Sequence, residues 1–433
     1  MPRLPRAVYW ALVVGGLLAS LHWVDRLDTP AIYKDDFVQD YLLARAILDG
    51  RDPYAVAGVE LAGRYLPESA AYTIRHVSLH PPAAALLSVP FGLVSYRTAR
   101  ALWLGLEVAL VVVLARLLPD GAESRRFSVR VAVPIMLLAW PPIAMDLQCG
   151  QWSVFLAALL ALAWDASRAG RPGLAGSLLG LAIAIKAFPA LLLPFFVRRR
   201  EWRAVGSALA VGVVLSAAPI ALVGPGLVTG YFGSGAHTTT TWLACFANYS
   251  ALGAVARFVT SAGEFGGLPP VFSAPALTTP VVTATAVLVL VLSLRAVFSW
   301  RDPDAAFAGA LCALVLLTPL VWQHYLTLLL WPLWLVGRRL ASAGWPRPLS
   351  HAFFVAATLV TFPQQAVSLI AIAASQAWSP AGSLILLALP AGPIVLFCVL
   401  GASANGSLAA ADVALSPLPA AGAGRSAARP FAS

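Results

Sequence analysis

Apolar runs separated by short polar breaks make up most of the chain. Runs at about 7–24, 99–118, 129–146, 152–167, 173–186, 187–197, 203–223, 280–299, 305–320, 322–338, 350–372 and 382–401 predict twelve membrane helices. A helix needs roughly 20 apolar residues to cross a hydrocarbon core about 30 Å thick, which is the standard applied to these runs. The pair within 173–197 reads as a bent or re-entrant hairpin. Pro189 and Pro194 break its helical pattern, and one straight span would carry Arg198, Arg199 and Arg200 to the wrong side. Residues 81–95, PPAAALLSVPFGLVS, are short and proline-bearing, and predict an interfacial or re-entrant helix.

The first polar break holds KDDFVQDYLLARAILDGRDPY, Lys34 to Tyr54. Asp36 is placed as the N-cap of FVQDYLLARAIL, where Phe37, Tyr41, Ala44 and Leu48 recur at helical spacing. Such an amphipathic helix is expected to lie flat at the outer interface with that stripe in lipid. Asp36 and Asp40 are four apart and share a face. With Arg45 nearby, two carboxylates there could activate an acceptor hydroxyl as a general base. Helix capping and a solvated face explain the same spacing.

Composition fixes the class. With 60% hydrophobic and 11% charged residues, a 433-residue chain cannot cover a water-exposed surface, so an all-α polytopic membrane protein is expected. The net charge of +10 reads as topology and not as affinity for nucleic acid. Arg3, Arg6, Arg116, Arg125, Arg126 and most later arginines fall on one side, while nine acids between Asp25 and Glu68 fall on the other. Positive charge stays inside, so both termini are expected in the cytoplasm of a multi-pass bacterial plasma-membrane protein. The first run is expected to be an uncleaved signal anchor. Residues 402–433, rich in Ala, Gly, Ser and Pro, are expected to be a disordered cytoplasmic tail. Cys149, Cys245, Cys312 and Cys398 have no metal-ligand spacing and read as inert thiols, although Cys149 and Cys245 lie towards the same side and could pair.

Polar residues that are costly near a membrane fall on the outer side of this topology. They include DLQCGQW from Asp146 to Trp152, Lys186 in LGLAIAIKAFP, and His324 in WQHYL. A long outer loop at about 224–279 adds His237, four threonines, Trp242, Asn248, Tyr249 and Arg257. Singly, a lone Lys pairs or snorkels and a lone His is a satisfied polar residue. Their convergence on one face points to a site.

Several ordered motifs carry a resemblance. DF-x-x-D-Y leads to G-R-D-P-Y, followed by HPP and GQW. Then come G-x-x-x-G-L-A-I-A-I-K-x-F-P before an Arg cluster, and HYL-x-L-L-L-W-P-L. This set resembles glycosyltransferase family 87 over residues 7–400. The resemblance implies a GT-C fold in residues 1–401 and inverting transfer, mostly of mannose, from a polyprenyl-phosphate sugar. The acceptor would be a glycan or glycolipid on the extracytoplasmic face, with the lipid bilayer as the other partner and neither metal nor cofactor. It implies Asp36 as general base, Asp40 or Asp35 as helper, and His324 as the best candidate to stabilise the leaving phosphate. Lys186, Arg257 and His80 are the other candidates for the donor phosphate. Asp35, Tyr41, Gln151, His237 and Asn248 are the candidates for acceptor and sugar. The chain departs from the family pattern where two aromatics often follow DF-x-x, because Asp40 precedes Tyr41 here. An arabinofuranosyl or other lipid-linked-sugar transferase, a lipid or sugar flippase, and a non-catalytic envelope scaffold are the competing readings.

Overall fold

The computed structural model describes residues 10, 14–18, 25–70, 80–118, 127–263, 266–342 and 346–405. The first predicted span and the predicted tail beyond 405 therefore lie outside the described residues, apart from residues 10 and 14–18. Among the described residues the regular structure is helical throughout. The first polar break forms α1 (Phe37–Leu48) and α2 (Gly58–Tyr65). They are followed by α3 (Pro82–Gly92) and the long α4 (Tyr96–Leu117). Next come α5 (Phe127–Leu138), α6 (Pro141–Cys149), α7 (Ser153–Arg168) and α8 (Pro172–Ile185).

Helix α8 stops at Ile185 for a local reason. Pro189 has no N–H to offer the Ile185 carbonyl, and its ring would collide there. Lys186 leaves the helix in extended conformation, and the chain re-enters as a 3₁₀ turn (Phe188–Leu192) and α9 (Leu193–Arg198). The break expected from the prolines is thus present, with Lys186 at it, although the two segments are not among the sharply bent helix pairs. On the other side of α8 lies α10 (Trp202–Val223). A Cβ on Gly176 would fall 2.0 Å from the Ala204 carbonyl, and one on Gly180 2.5 Å from that of Ala208. The G-S-L-L-G stretch therefore brings two backbones into contact, the packing mode that suits helices without a hydrophobic drive between them.

The segment expected to be a long outer loop is mostly helical, with α11 (Gly226–Trp242) and α12 (Ala251–Val259). The glycines and threonines of α11 conceal its pattern, and of its residues Leu227 and Thr238 are the buried ones. The remainder comprises α13 (Thr278–Ser299), α14 (Pro303–Leu317), α15 (Leu330–Ser342), α16 (Arg347–Thr361), α17 (Gln364–Ala377), α18 (Ala381–Ile385) and α19 (Ala391–Asn405). A 3₁₀ turn, Gln323–Leu329, precedes α15.

Among the described residues four helical stretches are long and apolar enough to cross a membrane: Tyr96–Leu117, Trp202–Val223, Pro275–Ser299 and Ala381–Ala404. Two bent pairs, α5 with α6 at 69° and α16 with α17 at 88°, raise this to six if each counts as one span. Twelve separate spans are not seen among the described residues. Several predicted runs form helices such as α8 and α14, each too short alone to bridge about 30 Å at 1.5 Å per residue. Helices α10 and α13 turn Leu209, Val213, Val214, Val287, Leu288 and Val291 outward, a surface suited to lipid. Residues 81–95 form α3, an apolar helix too short to cross.

Helix α1 has the predicted bounds but a different environment. Phe37, Tyr41 and Ala44, expected in lipid, are buried in the protein against α3 and α4, and only Leu48 of that stripe is exposed. Val38, Leu42, Leu43, Ala46 and Ile47 are buried as well, so the helix is apolar on almost every side. A fully buried helix satisfies that pattern better than an interfacial one. Each large side chain so buried contributes roughly 1.5–3 kcal/mol relative to water. The rings of Phe37, Phe91, Trp103, Trp152 and Phe155 interlock, with Phe37 stacked on Trp103 at 5.2 Å and Trp103 edge-on to Trp152 at 4.6 Å. This cluster sets α1 against the start of α7, and so fixes one wall of the site.

Candidate active site

Asp36 stands at the N-cap of α1, but its backbone is already helical and its side chain makes no capping bond. Its carboxylate instead accepts a hydrogen bond from Gln151 Nε2 at 3.0 Å. The contact depends on the turn between α6 and α7. Gly150 closes α6 with φ +69, and a Cβ there would meet Phe37 Cβ at 2.8 Å, so glycine is required on two counts. Asp146 accepts from the backbone N–H of Ser153 and Val154 at 3.1 and 2.8 Å, closing the N-terminus of α7. The DLQCGQW patch is therefore a turn that aims one amide at one acid.

Arg100 binds the same two segments from beneath. It donates to Asp35 from Nε at 3.1 Å and to the Leu147 carbonyl from Nη2. Arg26 also pairs with Asp35. Burial pushes the Asp35 carboxyl above its ordinary range, and Arg100 and Arg26 oppose that shift.

Asp36 faces a cavity of about 350 Å³ together with Gln39, His80, Gln151, Lys186, His324 and Tyr325. Thr238, Trp242, Trp322 and Gln364 close it from α11, the turn before α15, and α17. Lys186 Nζ donates to Tyr325 Oη at 2.7 Å and lies 4.5 Å from the centre of that ring. One contact uses one of three ammonium donors. His324 Nδ1 lies 2.7 Å from Ser153 Oγ and 3.4 Å from Asp146 Oδ1, while its Nε2 is buried with no hydrogen-bond partner. Gln151 Oε1 and Thr238 Oγ1 are likewise buried and unpartnered. Native interiors rarely leave such atoms unsatisfied, and three of them around one cavity mark a place for a polar ligand.

The structure thus brings together Asp36, His80, Gln151, Lys186 and His324, which are distant in sequence, and places the other candidates elsewhere. Asp40 is wholly buried behind the wall, bonded to His80 and Trp152. Asp35 is held by its two arginines, and Tyr41 donates to the Val94 carbonyl at 3.0 Å. His237 sits on an exposed face of α11, where its carbonyl accepts from Thr240 and Thr241. Arg257 and Asn248 form an internal staple. Arg257 donates to the carbonyls of Cys245, Asn248 and Leu386, and Asn248 bridges the backbone of Leu243, Ser250, Pro319 and Val321. Burial without an acid partner pulls Arg257 down to about 10. Arg45 turns aside to the Gly92 carbonyl. Cys149 and Cys245 are free thiols, and Cys398 is exposed. Gln39, Trp322, Tyr325 and Gln364 line the cavity without having been singled out for it, and Thr238 and Trp242, noted among the residues of the outer segment, join them. Reciprocal backbone and side-chain bonds between Gln323 and Gln364 tie the elbow between α16 and α17 to the turn carrying His324.

The fold and site define an integral-membrane helical protein with a polar cavity built from its first loop and the breaks in its helices. Residues 79–322 match the family model of glycosyltransferase family 87, and the chain belongs to that family. It is 32% identical over 220 residues to a Mycobacterium tuberculosis polyprenol-phosphate-mannose-dependent alpha-(1-2)-phosphatidylinositol mannoside mannosyltransferase, covering 48% of this chain and 50% of the relative. It is 30% identical over 226 residues to an alpha-(1->3)-arabinofuranosyltransferase of the same species, covering 50% and 48%. A polyprenol-phosphate-mannose-dependent alpha-(1-2)-phosphatidylinositol pentamannoside mannosyltransferase from M. tuberculosis shares 28% over 289 residues, 61% of this chain and 62% of the relative. The chain spans about half the length of the first of these relatives. No solved structure matches it.

Proposed function

We propose that the protein is an inverting membrane glycosyltransferase. It moves a sugar, mannose in the first instance, from a polyprenyl-phosphate donor to a hydroxyl of a glycan or glycolipid at the extracytoplasmic face of a bacterial plasma membrane. The observation that carries this reading is the composition of the cavity wall: a carboxylate, an ammonium and an imidazole with an unpartnered Nε2 face one space.

Asp36 takes the proton of the acceptor hydroxyl as that oxygen bonds to the anomeric carbon from the face opposite the phosphate. The bond from carbon to phosphate oxygen breaks, and its electron pair leaves on the polyprenyl phosphate. Phosphate is a weakly basic leaving group, so it needs positive charge more than a proton. Lys186 supplies that charge, and His324 Nε2 supplies a polar contact from a ring already fixed by Ser153 and Asp146. Gln151 holds one Asp36 oxygen and leaves the other for the hydroxyl. Among the described residues Asp36 is the one carboxylate lining this cavity, which supports a single displacement needing a base and no second acid as nucleophile. The relatives named as mannosyltransferases support mannose, and the arabinofuranosyltransferase supports a second reading with another lipid-linked sugar.

The test is transfer in reconstituted vesicles from a panel of polyprenyl-phosphate sugars, with wild type beside Asp36→Asn. Transfer from one donor class with loss in the variant supports the proposal. Equal transfer by both proteins, or no transfer from any donor, defeats it.

A further inference from the structure

Two glutamines cap each other beside the cavity. Gln364 opens α17, and its backbone N–H, which has no acceptor within the helix, donates to Gln323 Oε1 at 3.1 Å. Gln323 opens the 3₁₀ turn, and its N–H donates to Gln364 Oε1 at 3.2 Å. Gln323 Nε2 donates to the Phe362 carbonyl at 2.9 Å, so that side chain is spent at both ends. Trp140 Nε1 donates to Thr361 Oγ1 at 3.1 Å and pins the elbow a second time. A backbone N–H only donates, so the atom of the Gln364 amide that meets Gln323 is its oxygen. The clasp therefore fixes the Gln364 side chain and makes no use of its Nε2, which carries two donors. Gln364 lines the cavity. Capping accounts for the oxygen and gives no role to the nitrogen.

Neighbouring side chains extend this surface. Trp322, the residue before Gln323, meets Trp242 edge-on at 5.9 Å. Thr238 lies one helical turn before Trp242 on α11, on the same face. Thr240 and Thr241 turn their hydroxyls back to carbonyls of their own helix, whereas Thr238 Oγ1 is buried without a partner. Thr238, Trp242, Trp322 and Gln364 all line the cavity, and none of them is charged. We infer that this patch is a subsite for a neutral sugar ring. Gln364 Nε2 donates to the oxygen of one ring hydroxyl, Thr238 Oγ1 shares a hydrogen bond with another, and the C–H face of the ring packs on the indoles. A few fixed polar groups among aromatic side chains are the means by which such sites orient a ligand. The clasp holds the Gln364 amide in place beforehand, so binding costs little side-chain entropy. The ring belongs to the donor or to the acceptor, and the inference rests on the transfer proposed above.

Binding separates the alternatives. The purified full-length protein in nanodiscs is titrated with three ligands: a short-chain polyprenyl-phosphate mannose, the same polyprenyl phosphate without the sugar, and methyl mannoside, which has the ring without lipid or phosphate. Wild type, Gln364→Met and Thr238→Val are compared, since each substitution keeps the side chain's size and removes its hydrogen bonds. Each variant is expected to weaken a sugar-bearing ligand about 3–10-fold, the range of one neutral hydrogen bond. The sugar-free phosphate is expected to bind as before, which a merely structural role would not produce. Weakening of the polyprenyl-phosphate mannose assigns the subsite to the donor sugar. Weakening of methyl mannoside with that ligand unaffected assigns it to the acceptor. A parallel loss for the sugar-free phosphate overturns the inference, as does unchanged binding of both sugar ligands. Should Gln364→Met, which also gives up the cap on Gln323, fail to fold, Thr238→Val decides alone, because it touches no bond of the clasp. Transfer by wild type with both variants insensitive removes only this subsite. Wild type that transfers sugar from no donor defeats the functional proposal and this inference together.

Discussion

Asp36 holds the position from which a side chain normally caps a helix, yet its carboxylate is turned to Gln151 instead. An acid released from capping is free for chemistry, and Asp36→Asn is expected to lower turnover about 10²–10⁴-fold, the usual contribution of a positioned base. Donor affinity should hold, so a turnover assay beside a binding titration separates the two. Gly150 makes that geometry possible through its positive φ and its contact with Phe37. Gly150→Ala should cost about 1–3 kcal/mol of stability from strain and overpacking, read by thermal denaturation, and should impair transfer by displacing Gln151. At this scale the sequence was informative where a polar residue stood in an apolar setting, as Lys186, His324 and Gln151 do. The same signal misled at Arg257 and Asn248, because a buried irregular backbone also demands polar side chains, and these two spend their donors on carbonyls. Trp322 and Tyr325 gave no signal, since aromatic residues in an apolar chain look like core.

At the level of elements, breaks in helices were readable and burial was not. Pro189 announced the end of α8 because the missing donor acts locally. By contrast, whether α1 lies in lipid or in protein depends on which neighbours arrive, and the spacing of Phe37, Tyr41 and Ala44 is the same in both cases. The residues overlooked there were Val38, Leu42 and Leu43, which make the helix apolar all round. Helix α11 was hidden because its Gly and Thr content reads as loop. The pairing of α8 with α10 carries the clearest test. Gly176→Ala places a methyl 2.0 Å from the Ala204 carbonyl, so the helices must part. A loss of about 1–3 kcal/mol is expected, visible as a lower melting temperature in detergent. Gly105→Ala, with nothing within 4 Å, is the control that should not destabilise.

For the whole molecule, composition and charge established a membrane protein, and the number of crossings was the part least legible. Apolar runs record burial of any kind, in lipid or between helices, so α8 and α14 look like spans although each is short. The charge asymmetry makes a topological prediction. Cysteine introduced at exposed Arg51 should react with a membrane-impermeant maleimide from outside the cell, and one at exposed Arg301 only after the membrane is opened. The reverse pattern would put the cavity in the cytoplasm. The central claim is that the cavity between α1, the break at Lys186 and the His324 turn holds the sugar-phosphate junction of a lipid donor. A cryo-EM structure with a non-transferable polyprenyl-phosphate sugar tests it most directly. The account predicts the phosphate against Lys186 and His324 with the anomeric carbon turned towards Asp36; a phosphate bound outside this cavity, or a sugar remote from Asp36, would contradict it.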